Sequence, residues 1–366
     1  MTLIKDLFGF KEKREYKMSM TGRERARAVF KYRQTDKPCF DLMEGTVWDS
    51  VGYYFRKTYG LRDTEEVLDF LGCDFRWSHL FGKALPLPES NDAVKGLPGT
   101  NYSDSSGGYL LADAVSIADV DRLFNPDPYE REMPDSRKMR QTFPDKALVF
   151  CVPWTPFFSG ACSLFGMERA MVTMISEPEL YHAFATKQKE YLCEYLRRAI
   201  RAGCAEYCDF FWTGDDFASE NGLILSPAHW RKLVKPYLKE VFDIAKTAGM
   251  LTLFHSCGAV SEVYDDFIEI GVDSHIGVQT SGKGMDIERL ARDFGGKIVI
   301  FGGVDAQTTL INCTPEQVEK ETLRNIAAFA DCGGYIVSNS HHGLPDMPGE
   351  NLTAMARAAG TYIESL

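Results

Sequence analysis

The chain has 366 residues, 45% of them hydrophobic and 25% charged, which excludes collagen-like, coiled-coil and wholly disordered proteins. Its 41 Lys and Arg against 52 Asp and Glu give a formal net charge of −11, a poor match for nucleic acid or an anionic membrane. No run approaches the ~20 apolar residues of a membrane span.

Residues 1–20 carry scattered charges and no continuous apolar stretch, so they read as a short leader ahead of the domain and not as a secretory signal. The ten cysteines are spread thinly, which points to reduced thiols and a cytoplasmic location. Thr21 is placed to cap a helix that ends before Asp36-Lys37-Pro38. Eight apolar or β-branched runs then follow: Cys39 to Met43, Asp74 to His79, Ala147 to Val152, Tyr207 to Thr213, Leu251 to Cys257, His275 to Gln279, Ile298 to Gly302 and Tyr335 to Asn339. Amphipathic helical patterns separate the later ones, over Pro227 to Ala248, Val260 to Ile270, Asp286 to Phe294 and Pro315 to Ala330. This alternation predicts an α/β fold, a single (β/α)8 TIM-type barrel over 21–366. Residues 82–135, rich in Pro, Gly, Asn, Asp and Ser, break the rhythm and read as an insertion between strands two and three, with a small hairpin and a strand-like piece over Tyr109 to Leu111.

Chemistry in such barrels sits at the carboxyl ends of the strands. The fifth ends LTLFHSCG, where His255 and Cys257, two apart, share one side of a strand. Imidazole and thiolate are preferred zinc ligands, although a lone H-x-C is equally compatible with core packing. After strand eight, His341 and His342 are adjacent and point apart, so at most one of them joins the same metal. Gln279 ends strand six and suits a hydrogen bond to substrate or to a ligand. Asp215 and Asp216 follow strand four as acid, base or partner of a ligating histidine, with helix capping as the alternative. Asp305 follows strand seven and is expected to face the mouth. Trp48, Trp77, Trp154 and Trp212 lie on or after the first four strands, a set suited to a flat-walled pocket for a ring, or to packing beneath the insertion. Cys204, Cys208, His79, His182, His229 and His275 have no partner at metal spacing and read as structural, and no phosphate-loop or nucleophile-elbow motif is present.

The stretches LFHSCGAV, GDDFASENGLILSP with HWRKLVKPYLK, FGGVDAQ, TPEQV, GGYIVSNSHHGLPDMP and GENLTAM together resemble the uroporphyrinogen decarboxylase superfamily over about residues 21 to 364. The resemblance implies the same barrel. It also implies one of two chemistries. The decarboxylases bind an acidic tetrapyrrole through an arginine-rich segment after strand one; here that region reads DLMEGTVWDSVGYYF, with Glu44 and Asp49 and no arginine before Arg56. The other branch holds zinc- and corrinoid-dependent methyltransferases with H-x-C at strand five. By that likeness His255, Cys257 and His341 are implied as zinc ligands, and Asp215, Asp216, His342 and Asp305 as catalytic candidates. Glu44, Trp48, Trp77, Trp154, Trp212 and Gln279 are then substrate-binding candidates. The implied function is methyl transfer between a small donor, such as an aromatic methyl ether in an O-demethylation, and cobalamin carried by a separate corrinoid protein. Two rivals stand beside it: a metal-free lyase or decarboxylase of a small acid, and a non-catalytic corrinoid or tetrapyrrole binder.

Overall fold

Eight short parallel strands organise the computed structural model, which describes residues 19–82, 85–87, 109–123, 133–154, 156–344 and 346–361. They are β1 (Cys39–Phe40), β2 (Phe75–Trp77), β3 (Ala147–Cys151), β4 (Phe210–Gly214), β5 (Leu251–His255), β6 (Ser274–Val278), β7 (Val299–Val304) and β8 (Tyr335–Asn339). The sheet runs β1-β8-β7-β6-β5-β4-β3-β2. Its two edges meet where Asp74 N–H donates to Phe40 O at 2.8 Å and Phe40 N–H donates to the Asp74 carboxylate at 3.1 Å. Helices surround this sheet, and the result is the expected (β/α)8 barrel. Nearly every strand residue is buried, as expected for strands covered on both faces.

Inside the barrel, Phe75 lies between Phe210 and Phe301 with ring centroids 5.5 and 5.2 Å away. The helix Gly22–Val29 closes the amino-terminal end, with Ala26 and Val29 buried in the same interior cluster and Phe30 4.8 Å from Phe210. Thr21 caps this helix as expected, and the structure adds the reciprocal bond of a capping box: the Thr21 side chain accepts from Glu24 N–H, and the Glu24 carboxylate accepts from Thr21 N–H. At the same end, Asp209, just ahead of β4, takes bonds from Arg23, Arg27 and Arg140.

Several expected boundaries move for identifiable reasons. The helix predicted over Pro227 to Ala248 is two helices, Pro227–Leu233 and Lys235–Thr247, because Pro236 has no N–H to continue the first. Tyr207 belongs to a short helix, Cys204–Tyr207, so β4 starts at Phe210. In the insertion, 110–113 form turns where a strand-like piece was expected, and Leu111 N–H donates to Leu164 O at 2.8 Å. The leader and most of the expected hairpin lie outside the described residues. All ten cysteines are unpaired thiols. Among the described residues no helix is long and apolar enough to cross a membrane.

Asp41, directly after β1, is fully buried, and its carboxyl accepts from Trp77 Nε1 at 2.8 Å. Burial pushes its pKa up to about 8. The folded state therefore holds this proton more tightly than the unfolded chain, whose carboxyl titrates near 4. Stability is full below pH ~4 and falls as pH rises toward 8. Asp41→Asn keeps an oxygen for Trp77 and removes the titration. The variant is expected to lose this alkaline decline and to gain several kcal/mol relative to wild type at pH ~9, read from unfolding curves at pH 5, 7 and 9.

Candidate metal centre at the barrel mouth

β5 ends at His255, and Cys257 lies two residues beyond it, so strand alternation alone does not place the sulfur. Asp216 does. Its carboxylate accepts Cys257 N–H at 2.8 Å and stands 3.3 Å from His255 Nε2, while Cys257 Sγ is 3.5 Å from the same nitrogen. One donor atom each from Asp216, His255 and Cys257 lies within 4.8 Å of the other two. Neighbouring ligand atoms around a tetrahedral zinc are separated by roughly 3.3–3.8 Å, given bonds of 2.0–2.3 Å. The set therefore fits a zinc ion in spacing and in donor type, with thiolate and carboxylate balancing the dication.

Asp216 reaches the mouth because its neighbour turns away. Asp215 is fully buried and caps the helix Phe158–Phe165, accepting N–H bonds from Phe157, Phe158 and Ser159 at 2.7–3.0 Å and the Ser159 hydroxyl at 3.0 Å. Of the two readings offered by the acidic pair, Asp215 takes the capping role and Asp216 the site. Two glycines make room for the imidazole. A Cβ on Gly214 would fall 2.7 Å from both His255 Cβ and Trp154, and one on Gly277, whose φ is +81°, would fall 2.9 Å from the His255 ring.

On its far side, His255 Nδ1 faces Glu44 Oε1 at 4.0 Å, and both atoms are buried with no hydrogen-bond partner among the described residues. Glu44 has a left-handed backbone (φ 55°) and is buried, which raises its carboxyl to about 7. Its other oxygen is 3.4 Å from His342 Nε2, and His342 Nδ1 is 3.3 Å from the Thr46 hydroxyl. Burial, helped by His255 and His341, lowers His342 to about 3, so it is a neutral hydrogen-bonding group. Burial disfavours charge on Asp216, but His255 overrides it and lowers that carboxyl to about 2. Burial likewise opposes ionisation of Cys257, yet His255 beside it and the His341 hydrogen bond hold its thiol below the usual range.

The remaining expected residues divide. His341 reaches the Cys257 sulfur, while the three donor atoms that lie within 4.8 Å of one another belong to Asp216, His255 and Cys257. The His341 ring packs edge-on against that of His342, with centroids 5.3 Å apart. Trp154 and Trp212 form one wall, 5.8 Å apart, with Trp154 edge-on to His255 at 5.8 Å. Trp77 is a correction: it is sealed in the barrel interior, bonded to Asp41, below the mouth. Trp48 packs half-buried on the outer core, against the path of Gly343. Gln279 accepts Gly258 N–H and so holds the segment after Cys257. Asp305 is spent on its own turn, accepting Gln307 and Thr308 N–H at 3.2 and 3.0 Å. His79 was not expected here; it stacks on Trp212 at 6.4 Å and lies 3.2 Å from Cys151 Sγ. Its position two residues beyond Trp77 at the end of β2 was the available signal.

Barrel and mouth together define an enzyme-type (β/α)8 protein with an N/O/S donor cluster at the carboxyl end of its strands. Residues 99–362 match the family model for uroporphyrinogen decarboxylase (URO-D), and the chain belongs to that family. Curated relatives named uroporphyrinogen decarboxylase include one from Chlorobaculum parvum, 26% identical over 69% of this chain and 71% of its own, and one from Chloroherpeton thalassium, 23% identical over 80% of each. Among solved structures, a methyltransferase from Methanosarcina mazei shares the fold with a TM-score of 0.61, at 18% identity over 93% of this chain and 99% of its own.

Proposed function

We propose that this chain is a zinc-dependent methyltransferase that moves a methyl group between a small donor and the cobalamin of a partner corrinoid protein. The observation that carries the reading is the Asp216, His255 and Cys257 donor set, whose 3.3 and 3.5 Å spacings suit one small cation. These three residues would hold the ion, leaving a position open toward the mouth. Zinc supplies Lewis acidity there, easing negative charge on the oxygen or sulfur that gives up or takes the methyl group. The methyl group moves as a cation equivalent: in demethylation its bonding pair stays on the heteroatom and cob(I)alamin supplies the pair for the new bond, and in the reverse direction a thiolate supplies the pair while the Co–C pair stays on cobalt, so in both directions the site must accommodate an anionic heteroatom. Trp154, backed by the buried Trp212 at a 34° tilt, provides an aromatic surface beside His255 suited to an aromatic methyl ether. Neutral His342, 3.4 Å from Glu44 and within hydrogen-bond distance of the Thr46 hydroxyl, offers polar contact without adding charge.

The names of the curated relatives favour a second reading, decarboxylation of a small acid without metal. The electrostatics of the mouth argue against an acidic substrate. The charged groups that most affect Glu44 are His255, Asp216 and His341, two histidines and a carboxylate.

The test is zinc content of protein purified without chelator, followed by anaerobic assays with cob(I)alamin and methyl ethers, and with methylcobalamin and thiols. Near one zinc per chain with methyl transfer in either direction is expected. A chain that stays metal-free after reconstitution would put the lyase reading first.

A further inference from the structure

β5 ends at His255, so the backbone that follows has left the sheet ladder and its polar groups need other partners. Three side chains supply them at consecutive residues. Asp216 accepts Cys257 N–H at 2.8 Å and Gln279 accepts Gly258 N–H. The third is His275 on β6, whose Nε2 lies 2.8 Å from Ser256 O, the carbonyl between the two proposed ligands His255 and Cys257.

A carbonyl only accepts, so His275 must carry its proton on Nε2 and present a bare Nδ1. Tyr264, on the helix Tyr264–Glu269 that follows the β5 loop, places its hydroxyl 2.7 Å from that Nδ1. Tyr264 OH therefore donates to Nδ1, which leaves Nε2–H as the only tautomer that satisfies both bonds. Both side chains are fully buried, and burial lowers His275 to about 4, so the ring stays neutral. The rings of Phe267 and Phe294 pack around Tyr264 at 5.8 and 4.8 Å.

We infer that Tyr264 and His275 are positioning residues for the metal centre: together they fix the Ser256 peptide and thereby the angle between the His255 imidazole and the Cys257 sulfur. The inference rests on the zinc reading proposed above and concerns residues that touch neither metal nor substrate. Partners of this kind typically tune metal affinity by 10–100-fold.

The experiment measures zinc affinity by chelator competition, and the absorption spectrum of the cobalt(II)-substituted protein, for wild type, Tyr264→Phe, His275→Leu and His275→Gln. His275→Leu is expected to bind zinc about 10–100-fold more weakly with an altered cobalt spectrum. Tyr264→Phe, which removes one oxygen and leaves the buried His275 Nδ1 without its donor, is expected to lose about 3- to 10-fold. His275→Gln keeps an N–H donor near the Nε2 position and is expected to return to within about threefold of wild type. If His275→Leu does not fold, Tyr264→Phe decides the matter. Variants that lose thermal stability while keeping wild-type affinity and spectrum overturn the inference and leave the zinc reading standing. A wild type that binds neither zinc nor cobalt overturns both.

Discussion

Cys257→Ser and His255→Ala are each expected to strip the protein of zinc and to take methyl transfer below detection. A protein zinc site is worth ~10–16 kcal/mol, so one protein ligand among three accounts for roughly 10²–10⁴-fold in affinity. Serine preserves the size of Cys257 but not the bond, because its hydroxyl stays protonated where the thiol, beside His255, is already poised to ionise. His255→Ala costs more than a ligand. It opens space beside Trp154 and leaves the buried Glu44 oxygen facing a void. The third ligand can be read from the same assay. Asp216→Asn keeps an oxygen for Cys257 N–H and loses the charge, and it is expected to weaken zinc by about tenfold or more. His341→Ala is expected to cost less, since His341 bonds the Cys257 sulfur and lies outside the tight donor set. The reverse order would give the third place to His341. Zinc retained at wild-type affinity in Cys257→Ser would move the metal away from β5 altogether.

The fold and the centre of the site were legible in the sequence for different reasons. Strands covered on both faces leave continuous apolar runs, and eight of them separated by helical patterns read directly as a barrel. His255 and Cys257 were legible because two zinc-type donors stood at one strand end. Asp216 was visible only as half of an acidic pair; which half faces the mouth depends on Asp215 finding the N-terminus of the helix Phe158–Phe165, a contact 56 to 58 residues distant in sequence. His275 shows the limit most clearly. Its i+2 neighbours hold no ligand, so spacing marks it as structural, and its bearing on the site comes from a single bond to a backbone carbonyl that only the register of β5 against β6 reveals. Trp77 failed as a rim residue because strand position does not say how deep in the barrel a side chain sits. Its bond to Asp41 draws it inward.

Asp209 lies at the opposite end of the barrel from this chemistry, and replacing it should separate stability from function. Its side chain is fully buried and gathers Arg23, Arg27 and Arg140 at 2.9, 2.7 and 2.7 Å, together with Leu148 N–H at 3.1 Å. One carboxylate thus ties the closing helix Gly22–Val29, the helix Ser136–Thr142 and strand β3 to the start of β4. Asp209→Asn keeps the shape and removes the charge. Arg23 and Arg27 are 31% and 51% exposed and can turn toward water, whereas Arg140, at 14%, is held by four backbone carbonyls and cannot. The cost is therefore set mainly by Arg140 left without its counter-charge, about 3 kcal/mol, toward the low end for breaking a buried ion pair. For a chain of this length that corresponds to a fall of roughly 4 °C in thermal midpoint. Zinc content and affinity should stay at wild-type values, because conserving the barrel's shape at its floor leaves the strand ends at the mouth in place. A variant that lost zinc in proportion to stability would mean that the two ends of this barrel are coupled, and that Asp209 belongs to the site as well as to the fold.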